Sequence, residues 1–582
     1  MNLVFDIETN GLQNCNTIWC IVAYDVDTEI LYSFGHKEID EGLELLSKAN
    51  KLIGHNIIGF DIPVIRRLTG LSLYNKKIVD TLVLSRLFNP TREGGHGLES
   101  WGYKLSYNKI DFHEYDRFSR EMLEYCERDV QLNARVYMEL RKEAVGFSAD
   151  SIRLEHECYK LLEQQRVNGF LFDREHAYSL LTQLRNRLNA VVGEVHEHFK
   201  PKVEVTRLYI RETKAGVPSR MAETDKGIRV RTTAEEFEFA SSCGYVDRTK
   251  VTEFNLGSRK QIGEYLQDFG WKPTKFTPTG QPIVDEGTLL DIDNIPEAKM
   301  IAEYLLLQKR IAQLKSWFKF SCEDGRVHGY VNPNGTITGR MTHRDPNMAQ
   351  VPSSRAPYGK ECRQCWHVPT GYKLVGIDAS GLELRMLAHY MNDEAFTNEI
   401  LNGDIHTANQ KLAGLESRDQ AKTFIYALIY GAGNEKLGQV VGGNKSHGKR
   451  LRESFLNNLP AFAALAKQIE RASGRGYLRG VDGRKIFIRS AHAALNSLLQ
   501  GAGAIVMKKA LVIFDSKLRA ANLNAQIVGN IHDEWQVEAL ESDAALVGSL
   551  GVESIVEAGA ALALNCPLDG EYNIGDNWSE TH

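Results

Sequence analysis

Cysteine is scarce in this chain, with nine in 582 residues and no framework spacing, which excludes a disulfide-stapled scaffold. Cys362 and Cys365 form one CxxC, but no second pair stands at zinc-site spacing, so they read as two ordinary thiols. Long hydrophobic runs are missing too. No unbroken apolar stretch reaches the roughly 18 residues of a membrane span, so no membrane partner is expected. The opening residues Met1-Asn2-Leu3-Val4-Phe5-Asp6 carry neither a basic start nor a long apolar core, so a secretory signal is not expected and a reducing cytoplasm is. Positive charge is not in excess: 70 basic against 75 acidic residues leave −5. That excludes a histone-like protein, and any grip on nucleic acid has to come from local patches. Repeats and low-complexity tracts are absent as well.

What is present is globular. Hydrophobic residues make up 43% and charged residues 25%, and at about 100–200 residues per domain the length holds about three to five domains. Residues 1–150 alternate strand-like stretches (Leu3–Ile7, Ile18–Tyr24, Ile30–Phe34) with helix-like ones (Leu43–Ala49, Ile62–Leu68, Thr81–Leu87, Glu121–Glu143), the pattern of an α/β domain. From Ile152 to about Phe199 the spacing is helical. Residues 200–231 interrupt it with nine Lys/Arg against four Asp/Glu and a Gly216-Val217-Pro218 turn signal, which reads as a basic, β-leaning insertion. Helices return at Ser258–Phe269, Ala298–Phe320 and His406–Ser473, and a long one spans Ala491–Leu518.

A first set of acids lies early. Asp6 and Glu8 stand two apart in a strand, so both carboxylates leave the same face. Asp61 follows the glycine-punctuated turn Gly54-His55-Asn56-Ile57-Ile58-Gly59-Phe60. Tyr125 and Asp129 sit at i and i+4 on one helix face. Four acids and a phenol suit two-metal hydrolysis, in which hard oxygen ligands hold the ions and the tyrosine orients the attacking water. This set resembles the proofreading 3′–5′ exonucleases with four acids and a tyrosine, on an RNase H-like fold.

A second set lies in the C-terminal half. Val375-Gly376-Ile377-Asp378 reads as a buried strand ending in an acid, with the Ala379 carbonyl as a possible backbone ligand. Asp533 stands at a tight turn in Gly529-Asn530-Ile531-His532-Asp533-Glu534. Two acids brought together can hold the ions that nucleotidyl transfer uses. Between them Arg418, Lys422, Tyr426 and Tyr430 follow at i+4, one slowly turning stripe that begins cationic and ends aromatic. Cations can clamp a triphosphate, and tyrosines can stack on sugar and base. The reading requires Asp378 and Asp533 to share one cradle.

These segments resemble motifs A, B and C of family A (Pol I-like) DNA polymerases. The runs Asp378-Ala379-Ser380-Gly381-Leu382-Glu383-Leu384-Arg385, Asn402-Gly403-Asp404-Ile405-His406-Thr407, Asp482-Gly483-Arg484-Lys485 and His492-Ala493-Ala494-Leu495-Asn496 are similar to replicative polymerases of short-tailed lytic bacteriophages. The resemblance implies an α/β multidomain chain, an RNase H-like exonuclease followed by a right-hand polymerase. It divides as exonuclease 1–150, thumb 151–325 with the insertion at about 200–252, palm 326–405 and 491–582, and fingers 406–490. It also implies two Mg²⁺ ions per active site. Asp378, Ala379 and Asp533 would hold them in one site, and Asp6, Glu8, Asp61 and Asp129 in the other. Glu383 would exclude a 2′-hydroxyl, Arg418, Lys422 and His406 would bind phosphates, and Lys422 would protonate leaving pyrophosphate. Tyr426 would sit at the sugar, and Tyr430 and Gly431 at the template. Arg340, Asn496 and Gln500 would check the minor groove, whose acceptors are common to all base pairs, and His532 would lie near the primer end.

Primer–template DNA, dNTPs and a helicase-primase are the partners so implied, in the cytoplasm of an infected bacterium. The basic insertion leaves host thioredoxin and duplex DNA both open as its ligand. A repair-type polymerase, a DNA-binding exonuclease without polymerase activity and a non-enzymatic scaffold remain the alternatives. Gly443-Asn444-Lys445-Ser446-His447-Gly448-Lys449 mimics a phosphate loop, but Arg450 stands where a metal-holding hydroxyl belongs.

Overall fold

The computed structural model describes residues 1–12 and 14–582. They form two compact units, one of residues 1–174 with 319–582 and one of residues 175–318.

The first unit opens with a five-stranded sheet: β1 (Asn2–Thr9), β2 (Ile18–Asp25), β3 (Ile30–Phe34), β4 (Lys51–Gly54) and β5 (Lys77–Asp80), in the order β3-β2-β1-β4-β5. β1 pairs antiparallel with β2 and parallel with β4. Central strands covered on both faces need apolar residues on both, and β1 supplies them. Val4 packs with Met122, Cys126 and Val130 of the helix Arg120–Glu143. Leu3 and Phe5 pack with Leu46, Ile62 and Ile65 on the other face. Order and directions agree with the RNase H-like fold expected from the sequence.

The helical run from Ile152 is not continuous. The helix Ala149–Asn168 stops at Gly169, whose φ of +64° favours glycine, and the short strand Phe170–Phe172 follows. This helix is tied to both halves of the unit. His156 Nε2 accepts the Asp80 amide at 2.8 Å, Tyr159 Oη donates to Asn56 Oδ1 at 2.8 Å, and Asn168 Nδ2 donates to the Ile527 carbonyl at 2.9 Å.

The C-terminal half centres on a four-stranded antiparallel sheet in the order Ala525–Ile531, Glu534–Leu540, Tyr372–Ala379, Gly570–Gly575. Helices Ala494–Ala520 and Ala544–Ala561 back it. Phe514 stacks on Trp535 at 5.3 Å. Gly551 lets the second helix lie close, since a Cβ there would be 2.4 Å from Ile377 Cδ1. Residues Ala491–Ala520 and Ala544–Ala561 are each long and apolar enough to cross a bilayer by length and composition. Neither is an unbroken apolar run, since Lys508 and Lys509 interrupt the first and Glu553 and Glu557 the second. In the first, 72% of the apolar window is buried inside the protein, as in a core helix.

Helices Ile405–Ala413, Arg418–Ile429, Lys445–Asn458 and Pro460–Ser473 form a helical subdomain, with Phe424, Phe455 and Phe462 edge-to-face at its centre. The phosphate-loop mimic runs into the start of the third of these and follows a helix, Asn434–Gln439.

In the second unit, the β-leaning insertion is a four-stranded antiparallel sheet in the order Tyr245–Thr252, Lys202–Glu212, Pro218–Thr224, Arg229–Arg231. A helix the sequence reading did not resolve, Ala234–Cys243, is opened by a capping box of Thr233 and Glu236. Arg207 pairs with Asp247 and Arg211 with Glu223 across adjacent strands, both at 2.7 Å.

Candidate functional site

The N-terminal acids converge. Asp6 and Glu8 leave one side of β1, and Asp61 begins the helix Asp61–Thr69 with its Oδ1 accepting the Ile7 amide at 3.1 Å. That bond seats Asp61 between the other two. The turn before it is held by an acid the sequence reading did not single out. Asp80 accepts the amides of Asn56 and Ile58 at 3.0 and 3.1 Å and caps the helix Thr81–Phe88. Gly59 is obligatory in that turn, because a Cβ would stand 2.2 Å from Tyr159 Oη. Tyr125 and Asp129 come from successive turns of Arg120–Glu143, as their spacing predicts.

Burial and the crowding of like charges raise the pKa values of these carboxyls. Burial, then Asp61 and Asp129, pushes Asp6 well above the usual carboxylate range. Burial and then Asp6 lift Glu8 to about 9, and burial chiefly lifts Asp61 to about 7. Asp129 is raised by burial, and its Oδ1 is buried without a hydrogen-bond partner. Carboxyls packed this way favour protonation unless cations join them, and hard oxygen donors in this number fit divalent ions.

One cation of the chain is already there. Lys109 Nζ lies 2.6 Å from Asp129 Oδ2 and donates to Tyr125 Oη at 2.9 Å. Sequence reasoning missed it, because it lies in the loop between helices Leu98–Lys104 and Arg120–Glu143 and belongs to no periodic pattern. A lone lysine flanked by Tyr107 and Phe112 ahead of the Tyr125 helix is the one signal that could have drawn notice.

In the C-terminal sheet, Asp378 is paired across the ladder with Glu534, and the Ala379 amide donates to the Asp533 carbonyl at 3.2 Å. Asp378, near the end of its strand, thus stands beside the turn that carries Asp533, and the Ala379 carbonyl is at the same strand end. Asp533 occupies the two-residue turn with His532, whose φ of +58° is left-handed. A non-glycine residue held there stores strain of the kind found at functional turns. Burial, then Asp533 and Glu534, lifts Asp378 to about 7, and burial raises Asp533. These raised carboxyls also fit a cation site.

Around them lie most of the other expected residues. Arg340, Glu383, His532 and Asp533 line one cleft of about 540 Å³ with Lys508. Glu383 is clamped, its Oε1 accepting from Arg340 at 3.2 Å and its Oε2 from Tyr430 Oη at 2.7 Å. Tyr426 lies with its ring 6.3 Å from that of Tyr430 and 6.4 Å from His406. Gly431 has φ +75°, and a Cβ there would stand 2.4 Å from the His492 carbonyl, so the end of the stripe is fixed to the turn leading into Ala494–Ala520.

At the cationic end, Arg418 donates to Asp404 at 2.7 Å, and Asp404 caps the helix carrying His406. Burial, then Arg418 and Lys422, lowers the proton affinity of His406. Arg418, Lys422 and His406 thus share one neighbourhood. Asn496 and Gln500 lie one turn apart on Ala494–Ala520, and Asn496 Oδ1 is buried without a partner. The chain's last residue was also missed: His582 Nδ1 is 2.9 Å from Glu534 Oε2, whose other oxygen accepts Trp578 Nε1 at 2.6 Å. Cys362 and Cys365 are buried and form no disulfide.

A family model described as DNA polymerase family A matches residues 233–580. The DNA-directed DNA polymerases of Enterobacteria phage T3 and Escherichia phage T7 are each 34% identical to this chain, with 100% of both chains covered. Those alignments run over 705 and 709 positions, so the relatives carry segments that this chain of 582 omits. DNA polymerase I of Thermus aquaticus is 30% identical over 56% of this chain and 42% of its own length. Among solved structures, the polymerase domain of Pol1 from M. smegmatis, in complex with DNA primer-template and dNTP, matches with a TM-score of 0.79. At 17% identity over 100% of this chain and 95% of that one, it is a likeness of fold. Matched by the family model over more than half its length and by two full-length relatives, the chain belongs to DNA polymerase family A.

Proposed function

We propose that this DNA-directed DNA polymerase of family A is a proofreading bacteriophage replicase, and that its two acid clusters are its two active sites. The observation that carries the polymerase site is the placement of Asp378 beside the hairpin turn holding Asp533, together with the Arg418–Tyr430 stripe. Its substrates are primer–template DNA and dNTPs, the ligands named for the M. smegmatis neighbour. Full-length identity to two phage polymerases, against partial coverage by DNA polymerase I, supports a replicase acting in the cytoplasm of a bacterial host. The division proposed is exonuclease 1–150, thumb 151–325, palm 326–405 with 491–582, and fingers 406–490.

Asp378, Asp533 and the Ala379 carbonyl would hold Mg²⁺, as would Asp6, Glu8, Asp61 and Asp129 in the other site, two ions in each. Bound there, the ions supply charge stabilisation for the attacking and leaving oxygens of an in-line displacement. The rest falls to the chain. Arg418, Lys422 and His406 grip the triphosphate, and Lys422 passes a proton to departing pyrophosphate. Tyr426 stacks on the sugar, and Glu383, held by Arg340 and Tyr430, blocks a 2′-hydroxyl. Tyr430 and Gly431 bound the template side. Asn496 and Gln500 contact the minor groove, and His532 the primer end. In the exonuclease Tyr125 orients the attacking water.

Primer extension and 3′-end hydrolysis by separated variants test this. Asp533→Ala is expected to abolish dNTP incorporation and keep 3′–5′ hydrolysis, and Asp6→Ala with Glu8→Ala to do the reverse. Normal extension by Asp533→Ala would overturn the polymerase site. Long products from one binding event are expected of a replicase, and short ones would return the chain to the repair class.

A further inference from the structure

The exonuclease acids account for metal binding, but nothing in that role explains the lysine among them. Lys109 is three-quarters buried, with 25% of its side chain exposed, and it bonds two groups at once: Tyr125 Oη at 2.9 Å and Asp129 Oδ2 at 2.6 Å. Tyr125 and Asp129 are one helical turn apart, so the ammonium closes a small ring of phenol, cation and carboxylate on one helix face.

The loop that carries Lys109 is also pinned to neighbouring faces of the same helix. Tyr107 Oη donates to Gln131 at 2.5 Å, and the Tyr107 ring takes the guanidinium groups of Arg128 and Arg135 at 4.2 and 4.1 Å. Phe112 stacks on the Tyr125 ring at 5.4 Å, and the Tyr115 carbonyl accepts Trp19 Nε1 at 2.9 Å. The loop is thus fixed on both sides of Lys109, and the phenol is held by its ring and by its oxygen.

We propose that Lys109 is a positioning residue of the exonuclease. By donating to Tyr125 Oη it occupies an acceptor lone pair of the phenol, and by holding Asp129 Oδ2 it competes with the neighbouring phenol for that carboxylate, so the phenol's own O–H can turn toward the water and scissile phosphate. An ammonium has three donors and no acceptor, so it can serve Tyr125 and Asp129 together without competing for the phenol's proton. A neutral side chain there leaves Tyr125 to donate to Asp129, which aims its proton at the wrong partner. Misplacing a group by about 1 Å costs about 10²-fold in rate.

The inference rests on the exonuclease reading, and the test separates the two. Full-length protein, Lys109→Met, Lys109→Arg, Tyr125→Phe and the double variant are assayed for 3′-end hydrolysis of single-stranded DNA with Mg²⁺. Primer extension by the same preparations checks folding. If the parent hydrolyses no 3′ end, the exonuclease reading itself fails. With an active parent, Lys109→Met is expected to lower kcat about 10- to 100-fold at unchanged KM, with partial recovery in Lys109→Arg. In the Tyr125→Phe background it is expected to add no further loss. A rise in KM alone, a fully additive loss in the double variant, or a lower Mg²⁺ requirement at unchanged kcat would overturn the proposal. The last outcome would leave Lys109 as a mere counter-charge to Asp129.

Discussion

Glu8 is buried among other acids, and its carboxyl is lifted to about 9 by burial and by Asp6. A group whose folded pKa exceeds its unfolded value adds stability that is fully present below the unfolded pKa. That stability is lost as pH rises through the folded pKa. For Glu8 the window runs from its ordinary 4.5 to about 9, and for Asp61 and Asp378 from 3.8 to about 7. In the presence of a chelator, the melting temperature is therefore expected to fall between pH 5 and 9. Glu8→Gln, neutral at every pH, should flatten that fall, and Mg²⁺ at pH 8 should reverse it. Calorimetry across pH, with and without EDTA, checks this. An identical profile for Glu8→Gln would mean that Glu8 is solvated after all.

At the scale of elements, the helix Ala149–Asn168 carries the most consequence. Its Glu155 is fully buried and accepts both Lys508 Nζ, at 2.7 and 2.9 Å, and Arg484. Arg484 also pairs with Asp482 at 2.7 Å, and Lys508 donates to the Gly339 carbonyl at 2.8 Å, next to Arg340. Burial opposes ionisation of Glu155, but Lys508 and Arg484 outweigh it and hold the carboxyl below its ordinary range. Removing one member of such a network leaves buried charge unanswered. Glu155→Ala is expected to cost about 3–5 kcal/mol, whereas Glu155→Leu with Lys508→Met, which removes a pair, should cost less. Denaturant unfolding measures both, and equal costs would show that the charges are already solvated.

This helix also shows where sequence reading stops. The strands of β1–β3 and the helices starting near Ile62, Thr81 and Glu121 were legible because their apolar spacing is local. The acids were legible because each sits on a signal of its own: a strand alternation, a glycine turn, an i,i+4 pair. Glu155 meets Lys508 from 353 residues away, and no local pattern encodes that. Lys109 lies in a loop, and His582 reaches Glu534 only because the last strand, Gly570–Gly575, returns the chain to the sheet carrying Asp378. What was missed was the set of contacts that tertiary folding alone closes.

For the whole molecule, a net charge of −5 opposes binding to a polyanion, so cations must be concentrated where DNA lies. The four-stranded sheet within residues 202–252 concentrates them, but unevenly. Arg207, Arg211 and Arg248 are engaged by Asp247, Glu223 and Glu236. Lys214, Lys226, Arg229 and Lys250 are exposed and in no ion pair among the described residues. If that sheet holds duplex DNA, each of these four that meets a phosphate contributes about 0.9 to the slope of log affinity against log salt. Replacing all four by Gln is then expected to reduce the slope by about 3–4 for primer–template binding, read by fluorescence anisotropy from low to moderate salt. It should also shorten products on a long primed template while leaving single-nucleotide incorporation intact. An unchanged slope would assign the sheet to a protein partner instead, and purified thioredoxin should then lengthen the products of the parent chain.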